Sequence, residues 1–171
     1  LIEQVSADKC IIEGEVIAVD TKGGPQPFQS LSRRIQRKHD IEKMVKEIPV
    51  QVNVFDVIYL NGMSLMDKSL KERWQALKKI VKETNGLRLA ESVVTKDLEK
   101  AESFYQHSLK MGQEGVIVKN LASHYQPGKR VGGWLKVKPI MEPLDLVVVG
   151  AEWGEGKRSK WLSSMILAAK D

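Results

Sequence analysis

Two segments constrain this chain more than any others. EGVIVKN, Glu114–Asn120, and GGWLKVKP, Gly132–Pro139, alternate β-branched or aliphatic residues in the manner of strands, yet both carry charge. Side chains on a strand alternate between faces, so Trp134, Lys136 and Lys138 share one face and Leu135 and Val137 the other. Two ammonium groups ~7 Å apart along one strand face repel each other. A solvated strand edge tolerates that, and a covered strand needs an anion between them. The residues alone leave both readings open. Glu114 is followed by Gly115, which allows another group close to the backbone. A carboxylate there either belongs to a turn or holds a divalent cation through oxygen.

A third segment repeats the theme. CIIEGEVIAVD, Cys10–Asp20, reads as a strand with apolar residues on both faces, so it is expected to be central and covered on both sides. Glu13 and Glu15 then share one face, with Gly14 between them. Buried carboxylates are costly unless they meet cations or a metal. VQVNVFDVIYL, Val50–Leu60, is a further strand, ended by the turn pair Asn61-Gly62. Phe55 within it is either core or a platform for a base.

Helices separate these strands. Ser30–Lys38 places Leu31 and Ile35 on one side and Arg33, Arg34, Arg37 and Lys38 on the others, and Asp40 is expected to cap a short helix that runs to Glu47. Ser69 and Glu72 fit a capping box ahead of Leu70, Trp74, Leu77 and Val81, with the helix running to about Lys82. LRLAESVV reads as a strand. Asp97–Met111 reads as a helix with Leu98, Ala101, Tyr105 and Leu109 inward. Pro139 and Pro143 bracket a break, followed by two strand-like runs, Asp145–Gly154 and Leu162–Lys170. A domain boundary is therefore expected near Met141, giving 1–141 and 142–171.

Composition narrows the function classes. The chain has 171 residues and a net charge of +5, which favours an anionic partner such as nucleic acid or nucleotide. One cysteine excludes an intrachain disulfide. No apolar run approaches the ~20 residues of a membrane helix, and no signal peptide is visible. Both ends open onto strand-like sequence, which reads as an internal piece of a longer protein.

Taken in order, EGE, FDVIYLNG, EGVIVK and WLKVK resemble the nucleotidyltransferase motifs of ATP-dependent DNA ligases. The linking segments PFQSLSRRIQRKHDIE and HYQPGKRVGGWLKVKP resemble the archaeal and eukaryotic replicative type, and LDLVVVGAEWGEGKRS resembles the opening of the ligase OB domain. The resemblance implies an α+β fold: antiparallel nucleotidyltransferase sheets with flanking helices, then the first strands of an OB barrel. It implies that Glu15 and Glu114 support a magnesium ion and that Glu15 also helps to orient the nucleotide. Phe55 is expected to stack on adenine. Lys136 and Lys138 are expected to contact the phosphates of ATP as the catalytic cations, with Trp134 in the same site and a less defined role for Lys119. Arg33, Arg34, Arg37 and Lys38 either touch the DNA backbone or form a solvated helix face.

The implied partner is nicked duplex DNA, with a sliding clamp for the full-length protein. A monomer is expected, in the cytoplasm of an archaeal-like cell or in a nucleus. The family's nucleophilic lysine belongs to a K-x-D-G motif, and no K-x-D-G occurs in this chain; the sixth motif is absent as well. The chain alone is therefore expected to be inactive. An RNA ligase, a capping-type nucleotidyltransferase and a noncatalytic nucleic-acid-binding module are the alternatives.

Overall fold

A computed structural model describes residues 2–36, 41–128, 133–140 and 143–169. The fold is α+β, and the chain divides into two compact units, Leu1–Lys138 and Pro139–Asp171.

The first unit is built on a four-stranded sheet. Strand β1, Cys10–Ala18, pairs antiparallel with β2, Val50–Leu60, which also pairs with the short β3, Met63–Ser64, and β4, Leu87–Leu89. The β2–β3 connection is Asn61-Gly62, with φ values of 45° and 92°. Both residues have positive φ, as a two-residue hairpin turn requires, so the sequence signal acts here as expected. Between β1 and β2 lie α1, Phe28–Ile35, and α2, Ile41–Glu47. Helix α3, Leu70–Ile80, starts at Ser69, where the expected capping box forms in full. It buries Leu70, Leu77 and Ile80, and Leu77 and Ile80 pack with Val54, Val57 and Leu87 of the sheet. Each such side chain contributes about 1.5–3 kcal/mol through the apolar area removed from water. A smaller cluster joins Ala18, Leu31 and Ile48 beneath α1 and α2.

Four expectations change. Among the described residues β1 pairs on one side only, so it is an edge strand and not a central one. One part of its apolar set, Ile12 and Ala18, enters the cores, while Ile11 and Val16 face solvent. The LRLAESVV segment contributes only the three residues of β4, which run parallel to β2; beyond them Val93 and Val94 are exposed. Helix α1 begins at Phe28 and ends at Ile35, with Leu31 buried and Ile35 exposed. Helix α4, Leu98–Lys110, is capped by Asp97 as its sequence suggests, but Leu98 and Ala101 lie in solvent. Its less exposed stripe is Phe104, Tyr105, Ser108 and Leu109, a face that helical periodicity alone does not single out. The expected Asp40 cap lies outside the described residues.

Strands β5, Val116–Lys119, and β6, Trp134–Val137, form a separate antiparallel pair within the first unit. Gly115 makes their approach possible. Its φ is 143°, and a Cβ there would sit 2.1 Å from the carbonyl oxygen of Val137. Gly115→Ala is therefore expected to lower stability by about 1–3 kcal/mol, the usual cost of a side chain forced into such a conformation. A denaturant melt that shows no loss would remove the close-approach account.

In the second unit, β7, Val147–Trp153, and β8, Leu162–Ala168, form an antiparallel hairpin joined through a short 3-10 turn at Gly156–Arg158. Val147, Val149, Ile166 and Leu167 are exposed in it.

Candidate active site

The register of β5 on β6 gathers the charged face. Ile117 pairs with Lys136 and Lys119 with Trp134, so these four side chains share one face, while Val116, Val118, Leu135 and Val137 take the other. Just before β5, Glu114 reaches back to Lys136, with Nζ 3.0 Å from its carboxylate oxygen. That bond is the first cause holding the Glu114 carboxyl below the ordinary range, and the charges of Lys136 and Lys138 add to it. Both partners of the pair are exposed, so it is screened by salt and exchangeable for a ligand.

A bulge aims Phe55 at this face. Asp56 pairs with Glu13 and Val54 with Gly14, which leaves Phe55 as the extra residue on β2. Such an insertion bends a strand and redirects its side chain. Gly14 is part of the device, because a Cβ there would lie 2.9 Å from the carbonyl oxygen of Asn53. The Phe55 ring meets Trp134 edge-on, with centroids 6.1 Å apart.

Lys119 occupies the space between the two rings. Its ammonium lies 4.3 Å from the Phe55 centroid and 3.8 Å from that of Trp134. A cation over ring faces gains about 1–2 kcal/mol when partly desolvated. Among the described residues, no carboxylate lies within ion-pair distance of it. Burial is the main reason that its pKa falls to about 8, against the pull of Asp56 and Glu13.

Beneath this face runs a polar network that sequence reasoning missed. Asp56 and Arg73 are fully buried, and the Arg73 guanidinium donates to both Asp56 carboxylate oxygens, at 2.8 and 2.9 Å. Its remaining nitrogen donates to the carbonyls of Lys68 and Ser123. The Tyr125 ring lies 5.8 Å from the guanidinium carbon, and its hydroxyl donates to Glu13. The signal was an arginine on the apolar stripe of α3, one turn from Leu70 and Leu77, and an aspartate inside a buried strand.

The other expected residues are placed as follows. Glu13 is engaged by Tyr125, whereas Glu15 is exposed on the edge strand, so the desolvation argument for Glu15 fails. Lys138 lies one residue past β6, exposed. Arg33 is exposed on α1; Arg34 is half-buried and donates to the Ile48 carbonyl at 2.6 Å, which fastens α1 to the end of α2. Arg37 and Lys38 lie outside the described residues. No group of three or more His, Cys, Asp or Glu among the described residues is placed to hold a metal ion. Glu15 and Glu114 are hard oxygen donors of the kind magnesium accepts, since it keeps several waters and takes only one or two carboxylates beside phosphate oxygens. Among the described residues no helix is long and apolar enough to cross a membrane.

Comparison with known proteins agrees with this geometry. A family model described as the ATP dependent DNA ligase domain matches residues 1–138. The DNA ligase of Thermococcus onnurineus is 48% identical over 98% of this chain, and that of Nanoarchaeum equitans 50% identical over 98%. Both matches span 30% of the relative, so the chain covers under a third of the length of these proteins. Among solved structures, the ligase domain of M. tuberculosis LigD superposes with a TM-score of 0.54 at 28% identity, covering 75% of this chain and 38% of that one. A mycobacterial DNA ligase D complexed with ATP and MES gives 0.57 at 25%, covering 92% and 45%. The antiparallel sheets, the aromatic and lysine face and the sequence relatives converge on one conclusion: this chain belongs to the ATP-dependent DNA ligase family.

Proposed function

We propose that the chain is the nucleotide-handling part of a ligase that seals nicks in duplex DNA through enzyme–AMP and DNA–adenylate intermediates. The observation that carries this reading is the shared face of Lys119, Trp134 and Lys136 against Phe55. An aromatic ring pair suits a base, and cations beside it suit the phosphates. Lys136 and Lys138 offset charge that builds on the transferring phosphoryl oxygens. Lys136 exchanges Glu114 for phosphate as ATP enters. Glu15 and Glu114 would hold a magnesium ion, which when bound supplies further charge neutralisation at the phosphates. The nucleophile that accepts AMP is a K-x-D-G lysine outside this chain. Arg33 is the described α1 residue free to meet DNA phosphates; Arg34 has one nitrogen engaged by Ile48. Residues 1–141 form the adenylation domain in this reading, and 142–171 the start of an OB domain.

A ligase carrying this segment and a K-x-D-G lysine is expected to seal a nicked duplex in the presence of ATP and magnesium. Failure of both sealing and AMP transfer would overturn the proposal. The 171-residue chain alone, incubated with labelled ATP, is expected to form no covalent AMP adduct, because its site lysines bind phosphate and do not accept AMP. A labelled adduct mapped by mass spectrometry to Lys136 or Lys138 would contradict the assigned roles.

A further inference from the structure

Lys119 faces carboxylates on two neighbouring strands, and both are already occupied. Asp56 on β2 is held by the two-pronged contact from Arg73 of α3. Glu13 on β1 is held by the hydroxyl of Tyr125, which lies on the segment between β5 and β6. Among the described residues, Asp56, Glu13 and Arg73 are the charged groups that act on the Lys119 ammonium, and Tyr125 is the further titratable group that touches this network. Tyr125 is itself fixed. Its backbone N–H donates to Met66, and the preceding carbonyls of Leu121 and Ser123 accept from the first N–H groups of α3. The helix start therefore anchors the segment that carries the hydroxyl.

We propose that Tyr125 is a positioning residue for Lys119: by holding Glu13 while Arg73 holds Asp56, it leaves the ammonium between Phe55 and Trp134 instead of in an ion pair. An ammonium over ring faces keeps its N–H donors for a ligand, whereas one in an ion pair gives them to a carboxylate. The consequence for nucleotide binding rests on the ligase reading above; the placement of Lys119 does not.

The test is a carbon-13 NMR titration of the lysine ε-carbons in the 171-residue chain, with Lys119 assigned by Lys119→Arg. Lys119 is expected to titrate near 8 in the unaltered chain. Tyr125→Phe keeps the ring on Arg73 but releases Glu13. It is expected to raise the Lys119 midpoint by about one unit, the effect of a carboxylate coming within a few ångströms. Adding Glu13→Gln to Tyr125→Phe is expected to bring the midpoint back down. A folded Tyr125→Phe chain with an unmoved Lys119 midpoint overturns the proposal. Should that variant not fold, the unaltered chain still decides. The two rings are expected to shift the Lys119 ε-protons upfield, and ordinary shifts would overturn the placement. The ligase reading fails separately, if a ligase carrying this segment and a K-x-D-G lysine neither seals a nick nor transfers AMP, and that result would not alter the titration.

Discussion

Replacing Arg73 by Met is expected to lower the unfolding free energy by about 3–5 kcal/mol, a large part of the ~5–15 kcal/mol that typically holds a domain together. The loss arises from what remains behind. Asp56 is fully buried, and both its oxygens accept from the guanidinium. Without Arg73 the carboxylate keeps one backbone N–H, that of Val57, and loses its one ion-pair partner among the described residues. The carbonyl of Lys68 loses its 2.6 Å donor in the same step. Denaturant melts of Arg73→Met, Asp56→Leu and the double variant check the account. The double variant is expected to be less destabilised than the sum of the singles, because it leaves no buried charge. It stays below the unaltered chain by about 1–3 kcal/mol, because the carbonyl of Lys68 is left without its donor. Additive losses would show that Arg73 and Asp56 act independently.

That pair also marks where sequence reading stops. Asn61-Gly62 and the Ser69–Glu72 box were legible because a turn or a cap is decided by a few adjacent residues. The order of strands and helices was legible for the same reason. Strand neighbours were not. Cys10–Ala18 carries apolar residues on both faces, and periodicity alone cannot tell double coverage from an edge whose outer residues stay wet. In α4 the local pattern gave the helix and its cap, but which stripe turns inward depends on packing with residues far away in sequence. For the site, the resemblance named Phe55, Trp134, Lys136 and Glu114, and the β5–β6 register explains how strands bring three of them to one place. It did not foresee that Lys119 stands between the rings, or that Tyr125 engages one glutamate of EGE and leaves the other free. Those relations join residues far apart in sequence, and they depend on a bulge that pairing creates.

Lys138→Ala, in a ligase that carries this segment, is expected to slow AMP transfer by about 10²–10³, equivalent to about 3–4 kcal/mol at the transition state. Lys138 is the better probe of the two site lysines. Lys136 is engaged by Glu114 before any ligand arrives, so its removal also frees a carboxylate and mixes two effects. Lys138 makes no ion pair among the described residues, so its loss subtracts a cation with little rearrangement. It lies one residue past β6 and is exposed, so its ammonium is accessible to a ligand. Lys138→Arg is expected to recover only part of the rate, because a planar fork does not reproduce a compact point charge. Single-turnover adenylation at saturating ATP separates the chemical step from binding. A loss confined to KM would make Lys138 a binding residue, since only an interaction stronger in the transition state changes the rate at saturation. Adenylation by Lys138→Ala at the unaltered rate would remove the phosphate-contact role from this end of β6. The shared face would then have to be explained by Lys136 and Lys119 alone.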